Sequence, residues 1–191
     1  MRSYEREKSC GFRFTAAAWG ELSNFFPLAT PIATGPWLFT TSESAYQACK
    51  FPGRPDVQQR IAEAPTARQA AAIGRTPGLG IDLGWNAQRV DVMRWVLRMK
   101  REANAAEIDG VLAETGERPI VEVSTRDAWW GARPVAARYE GNNVLGRLWM
   151  ELRQQLREND PAARSRAWVG RIRVGCLAGG TAVAQAAPPS S

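Results

Sequence analysis

"TTSESAYQACKF", residues 40–51, is the stretch on which the reading of this chain turns. A threonine/serine pair precedes an acid, and small and apolar residues follow, so a helix is predicted to start here. On that helix Glu43, Tyr46, Gln47 and Lys50 fall at i, i+3, i+4 and i+7, which is one face. A globular helix normally keeps its apolar residues at that spacing. The other faces hold Ala45, Ala48, Cys49 and Phe51, too small a set to bury the helix by themselves. The stripe is therefore either a solvated surface or the wall of a pocket. Glu43, close to the helix N-terminus where an ionised carboxylate is favoured, tips the reading toward a pocket.

Composition narrows the chemistry. The chain has 191 residues, 45% of them hydrophobic, enough for one domain with a real core. No run of about 18 apolar residues suggests a membrane span, and the charged N-terminus lacks the apolar centre of a secretory signal. Cys10, Cys49 and Cys176 are odd in number and without metal-ligand spacing, which points to a reducing cytoplasm. There is no histidine, so Ser–His and Cys–His machinery is excluded along with the usual zinc ligand. No metal or cofactor is expected, and chemistry must rest on carboxylates, lysine, tyrosine or thiols. Only Lys8, Lys50 and Lys100 are lysines among 25 basic residues, so an internal lysine stands out as a potential neutral amine. The net charge of +6 suits an anionic ligand such as a phosphate, nucleotide or nucleic acid, and equally a merely soluble basic protein.

Along the chain, residues 1–12 read as a flexible leader, 13–158 as the domain, and 159–191, rich in Arg, Ala, Gly and Pro, as a flexible tail. Short strands or loops lead to the first helix. "DVQQRIAEA" and "TARQAAAIGR" read as two short helices bounded by Pro55 and Pro65. A long helix is predicted from about Asn86 to Asn104, and another follows to Thr115, closed by Gly116. "RPIVEVST" reads as a strand and "RDAWWGARPVAARYEGNN" as a loop. Asn143 then caps a final helix with Leu145, Leu148, Leu152 and Leu156 on one side. The expected class is α+β, mostly helical with a small sheet.

Three further constellations bear on function. On the long helix Gln88, Asp91, Arg94, Arg98 and Arg101 form a solvated arc, while Met93, Val96 and Leu97 form the buried one. Arg89 and Lys100 fall within the buried arc. They either snorkel past the core edge or line a pocket, where a desolvated Lys100 would serve as amine nucleophile or base and Arg89 would hold a phosphate. Asp127 follows a strand end and precedes two tryptophans; it is either a turn-opening acid or a functional carboxylate beside stacking faces. Asn142 and Asn143 begin a helix whose N-terminus could receive an anion, or Asn143 is a plain cap.

The ordered strings "GELSNFFP", "TSESAYQACKF", "VMRWVLRMKREAN", "LAETG", "IVEVSTRDAWWGA" and "GNNVLGRLWMELR" resemble the NADAR (YbiA-like) family over residues 19 to 157. The resemblance implies a compact, mostly helical α+β fold and hydrolysis of N-glycosidic bonds to ribose. Family substrates are phosphoribosylamino-pyrimidine intermediates of riboflavin synthesis, or ADP-ribose attached to guanine in nucleic acid, whose removal reverses a DNA-modifying toxin. By the same resemblance Glu43, Trp85 and Asp127 match catalytic positions, and Lys100 matches a lysine shared by both branches. Asn24, Phe25, Tyr46, Gln47, Trp130, Gly131, Gly141 and Asn142 match pocket positions. The Lys50 position can be arginine in one branch. Ser44 stands where the riboflavin-type form has histidine, and Gly84 where an acid often precedes the tryptophan. The strings "SESAYQACKFP", "VMRWVLRMK" and "WGA" look closer to the ADP-ribose branch.

Cleaving a ribose C1′–N bond builds positive charge on the sugar, so nearby carboxylates stabilise the transition state. Glu43 and Asp127 are the expected acid/base and electrostatic pair; a second route transfers the sugar to Lys100 as a Schiff base. Lys50, at the stripe's far end, ranks below Lys100 as the amine. Trp85 and Trp130 pack on the base or ribose. The rival classes are a non-catalytic module that binds NAD or ADP-ribose, and a general nucleic-acid binder. Scattered arginines argue against the latter. The expected partner is a small-molecule or nucleic-acid-linked ribosyl phosphate, ADP-ribosylated DNA among them, with no membrane.

Overall fold

Thr41 opens the first helix as a true cap: its hydroxyl accepts a hydrogen bond from the Ser44 amide at 3.1 Å. The structure, a computed structural model, describes residues 1–159. In it this helix, α1 (Ser42–Ala48), is buried on every side. Helices α2 (Pro55–Ala62), α3 (Ala67–Ile73) and α4 (Trp85–Ala103) pack around it, with strand β4 (Trp37–Phe39) of the β3 (Ile32–Thr34) hairpin. Its small residues let these neighbours approach closely. The neighbours, not α1 itself, supply the apolar bulk.

The boundaries follow local chemistry. Pro55 opens α2 at the position where its missing N–H costs nothing. The Thr66 hydroxyl accepts from the Gln69 amide at 3.2 Å and opens α3. Helix α5 (Ala105–Glu114) ends just before Gly116, whose φ of 54° is the left-handed stop expected of that glycine. Strand β5 (Ile120–Glu122) falls within "RPIVEVST". Helix α6 (Val144–Arg157) buries Leu145, Leu148 and Leu152, and Leu156 is partly buried against the core. The mostly helical α+β class is as expected. No helix among the described residues is long and apolar enough to cross a membrane.

Several expectations need correction. Residues 1–12 are not a loose leader. Strand β1 (Arg2–Glu5) pairs antiparallel with β7 (Arg138–Gly141), and β2 (Cys10–Phe12) runs parallel to β5. The stretch after Asp127 is not all loop either, since β6 (Arg133–Val135) and β7 form a hairpin, giving the sheet order β1-β7-β6. Its turn bends through Ala136 at φ 47°, a conformation usually given to Gly or Asn, so no turn signal marks it. Arg98 does not belong to a solvated arc; it is only 1% exposed. Helix α6 lies across that side of α4, and Arg98 donates to Gln155 there at 3.0 Å, while neighbouring Arg94 meets Glu151 at 2.8 Å. The expected tail lies outside the described residues beyond Asn159.

The core joins α4 (Val92, Met93, Val96, Leu97) to α6, whose buried Trp149 donates its indole N–H to the Leu22 carbonyl at 2.9 Å. Helix α6 also crosses β5 at very short range: a Cβ on Gly146 would lie 2.2 Å from the Ile120 carbonyl oxygen and 2.5 Å from Asn143 Oδ1. Alanine favours a helix over glycine by about 1 kcal/mol, whereas overpacking at a backbone contact costs roughly 1–3 kcal/mol. Gly146→Ala should therefore lower the urea unfolding midpoint, by the equivalent of up to about 2 kcal/mol once the two effects are set against each other. A midpoint equal to or above that of the native chain would contradict this packing.

Candidate active site

The polar stripe of α1 lines a cavity of about 470 Å³. Helix α1 supplies Glu43, Tyr46 and Gln47 to it, Lys50 follows one residue past the helix cap, and α4 supplies Trp85, Arg89 and Met93. Asn24 and Phe25 enter from the segment after a 3-10 turn, Gly20–Leu22. Strand β5 and the loop beyond it contribute Glu122, Arg126, Asp127 and Trp130. Arg75, just past α3, and Leu145 of α6 close the lining. One wall is aromatic: Tyr46 meets Trp85 edge-on at 5.0 Å and Trp130 at 5.7 Å. The Arg89 guanidinium lies 3.8 Å from the centre of the Trp129 ring, so it is spread over an indole at the cavity edge.

Glu43 is fixed from both ends. Its amide donates to the Asn24 carbonyl at 2.9 Å, and its Oε1 accepts from Gln47 Nε2 at 2.8 Å. Arg75 stands 3.8 Å away, an exposed side chain whose attraction solvent weakens. Burial pushes the Glu43 carboxyl above its ordinary value, while the Gln47 amide, Arg75 and Lys50 pull it back. Glu122, which sequence reasoning did not single out, is the second acid of the cavity and is half-buried. It is pushed up to about 7 by burial and by the charges of Asp127 and Glu43, with nothing drawing it down. The signal was present in the strand, because alternation puts Glu122 on the same side of β5 as fully buried Ile120. Arg75 and Arg126, also not singled out, are exposed basic residues with no periodic mark in the sequence.

Asp127 combines both readings offered for it. Its Oδ1 accepts from the amides of Trp129 and Trp130, each at 2.9 Å, so it builds the turn that presents the tryptophans. It also lines the cavity.

The two lysines change places. Lys100 does not line the cavity. It is fully buried at 0% exposure and donates to the carbonyls of Glu21 at 2.5 Å and Ser23 at 2.9 Å, with Phe26 and Trp149 rings beside it. The helical arc gave its angle correctly. Its depth was not given, because eleven residues separate it from Arg89, about 16 Å along the axis. A Schiff base on Lys100 would require the sugar to reach the core, so that route is discarded. Lys50 is the amine at the cavity: it donates to the Gly74 carbonyl at 3.2 Å, lies 5.8 Å from the Trp85 ring, and is pushed below its usual value by burial.

Gly131, Gly141 and Asn142 are likewise outside the cavity lining. The glycines permit close backbone stacking: a Cβ on Gly131 would lie 2.6 Å from the Glu122 carbonyl oxygen, and one on Gly141 2.5 Å from that of Gly131. Asn142 lines a separate cleft with Arg2, Trp129 and Arg147. Asn143 stands at the N-cap position of α6 in the left-handed region, but its side chain makes no cap bond. It bridges the Glu122 amide at 3.0 Å and the Ile120 carbonyl at 2.8 Å. The first amides of α6 donate to the carbonyls of Trp129 and Trp130, at 3.2 and 3.0 Å, so the expected anion site is taken by the loop. Ser44 also faces inward: its hydroxyl donates to the Thr41 carbonyl at 2.8 Å.

These elements in this order are those of a known family. The NADAR domain model matches residues 12–157, and the chain belongs to the NADAR family. It is 34% identical to N-glycosidase YbiA of Escherichia coli over 145 residues, 76% of this chain and 86% of that protein. A Nostoc punctiforme N-glycosidase is also 34% identical, over 73% of this chain and 86% of its own length. A riboflavin biosynthesis protein of Vibrio vulnificus is 33% identical over 83% of this chain, a region that makes up 39% of that longer protein. The solved NMR structure of E. coli YbiA superposes with a TM-score of 0.66 at 33% identity, covering 79% of this chain and 87% of that one.

Burial lowers Lys100 to about 7, against Glu107 and Glu21, which raise it. Between pH 7 and its ordinary 10.5 the unfolded chain therefore holds a proton that the folded chain lacks. Stability should rise with pH across that window, by at most about 1.4 kcal/mol per pH unit, and be lost as pH falls toward 7. Urea melts at pH 7, 8 and 9 should show this gain in the native chain and a flatter response in Lys100→Met. Parallel responses in the two proteins would contradict it.

Proposed function

We propose that the chain is an N-glycosidase that hydrolyses the C1′–N bond of a ribosyl phosphate substrate in this cavity. The observation that carries the reading is a buried acid, Glu43, held by the Gln47 amide in one cavity with an aromatic wall and four basic side chains. Tyr46, Trp85 and Trp130 give the flat wall that a ribose or base packs on, and Lys50, Arg75, Arg89 and Arg126 give charge for phosphate. The names of the relatives agree with the bond type.

In the reaction, positive charge develops at C1′ as the bond to nitrogen lengthens. The Glu43 carboxylate, oriented by Gln47, stabilises that charge and takes a proton from the attacking water. Asp127 holds the tryptophan turn and adds a second negative group at the rim. The favoured substrate is an ADP-ribosyl group on guanine, since four basic side chains exceed what one monophosphate requires. A phosphoribosylamino-pyrimidine is the second reading, favoured by the relatives named for riboflavin biosynthesis. With Ser44 turned inward, its identity gives no direct contact by which to choose.

Both substrates should be offered side by side and base release followed by chromatography. Glu43→Gln should lower kcat on the active substrate by roughly 100-fold or more, as removal of a positioned acid/base group does. Full activity in both Glu43→Gln and Asp127→Asn would sink the carboxylate mechanism. Tight binding of ADP-ribose without base release from either substrate would mark a binding module instead.

A further inference from the structure

Glu43 as base leaves one requirement open, because the departing nitrogen must gain a proton as its bond to C1′ breaks. We infer that Glu122, half-buried at the end of β5 on the lining of the same cavity as Glu43 and with no hydrogen-bond partner for its Oε2, is the catalytic acid that donates it. This rests on the glycosidase reading above and assigns a residue to its second half.

The surroundings separate the two acids. Glu43 has a donor, the Gln47 amide, and a nearby cation in Arg75. Glu122 has neither an ion-pair partner nor a hydrogen bond to Oε2. The groups influencing it are Glu43 of α1 and Asp127 of the following loop, both of which disfavour a second negative charge. Of the other charged groups on the cavity, Lys50, Arg75, Arg89 and Arg126, none pairs with it. Two carboxyls in one site with environments that differ in this way divide into a base and an acid.

Placement is rigid as well. The Glu122 amide donates to Asn143 Oδ1 at 3.0 Å, its carbonyl accepts from the Ala132 amide at 2.8 Å, and its Cα pairs with that of Phe12 across β2. A backbone tied on three sides presents one side chain to the cavity without an obvious packing task for its second oxygen.

The step balances. The C1′–N bond breaks with its electron pair going to nitrogen, which takes the Glu122 proton. Water bonds to C1′ and its proton goes to Glu43, giving a free base and a ribose hydroxyl. Proton exchange with solvent then returns Glu43 to carboxylate and Glu122 to carboxylic acid.

The test is the pH profile of kcat/KM for the native chain and Glu122→Gln, which is isosteric and keeps a hydrogen-bonding side chain but has no acidic proton. The native profile should fall above about pH 7 as Glu122 ionises. Glu122→Gln should lose about 100-fold or more in kcat at pH 6, with KM within about threefold, and should lose that alkaline fall. Glu122→Asp should recover part of the rate. A melting curve confirms that Glu122→Gln is folded. Activity of Glu122→Gln within threefold of native, or a uniform loss that leaves the alkaline limb in place, overturns the assignment while leaving the glycosidase reading intact. A native chain that cleaves neither substrate overturns both.

Discussion

A helix of seven residues that carries an acid, a phenol and an amide has to be buried on all sides for this structure to exist. Burial of that kind is expensive unless each polar group is met. Thr41 meets the first turn, Gln47 meets Glu43, and the Glu43 amide reaches the Asn24 carbonyl. Lys50, one residue past the helix cap, gives its amine to the Gly74 carbonyl. Some groups remain unmet, among them the Ser42 hydroxyl on the helix itself and one oxygen each of Asn24, Gln47 and Glu122, residues that line the cavity. The polar stripe of the helix opens on that cavity, and that side is where chemistry is placed.

The rest of the fold serves to hold that cavity open. Lys100, a buried amine far down α4, grips the carbonyls of Glu21 and Ser23 and so fixes the turn that delivers Asn24 and Phe25. Asn143 does the same for β5 with both ends of its amide, and thereby sets Glu122. Asp127 fastens the tryptophan turn through two backbone amides. In each case a polar side chain that looks catalytic by type is spent, wholly or partly, on backbone geometry.

That division explains what could be read from the sequence. Helix ends were legible because single residues impose them: Pro55 and Gly116 act through their own φ. The stripe of α1 was legible because angle alone decides which residues share a face. Depth along a helix is not encoded in that angle, so the angle could not tell that Lys50, and not Lys100, lies at the cavity. Strands β1 and β7 escaped notice for a different reason. "RSYE" is largely exposed and the β6–β7 turn uses Ala136, so neither alternation nor a turn residue announces them. Glu122 lay within the strand pattern, on the same side as Ile120, with no motif spacing to mark it as a site residue.

The central claim is that ribose sits between the aromatic wall and the two glutamates, Glu43 and Glu122. A crystal structure of Glu43→Gln with ribose 5-phosphate tests it most directly. The ring should lie against Tyr46 and Trp85, with C1′ within about 3.5 Å of the residue 43 side chain and the phosphate among Lys50, Arg75, Arg89 and Arg126. Ribose 5-phosphate bound instead in the cleft of Arg2 and Arg147, with the α1 cavity holding only solvent, would contradict it.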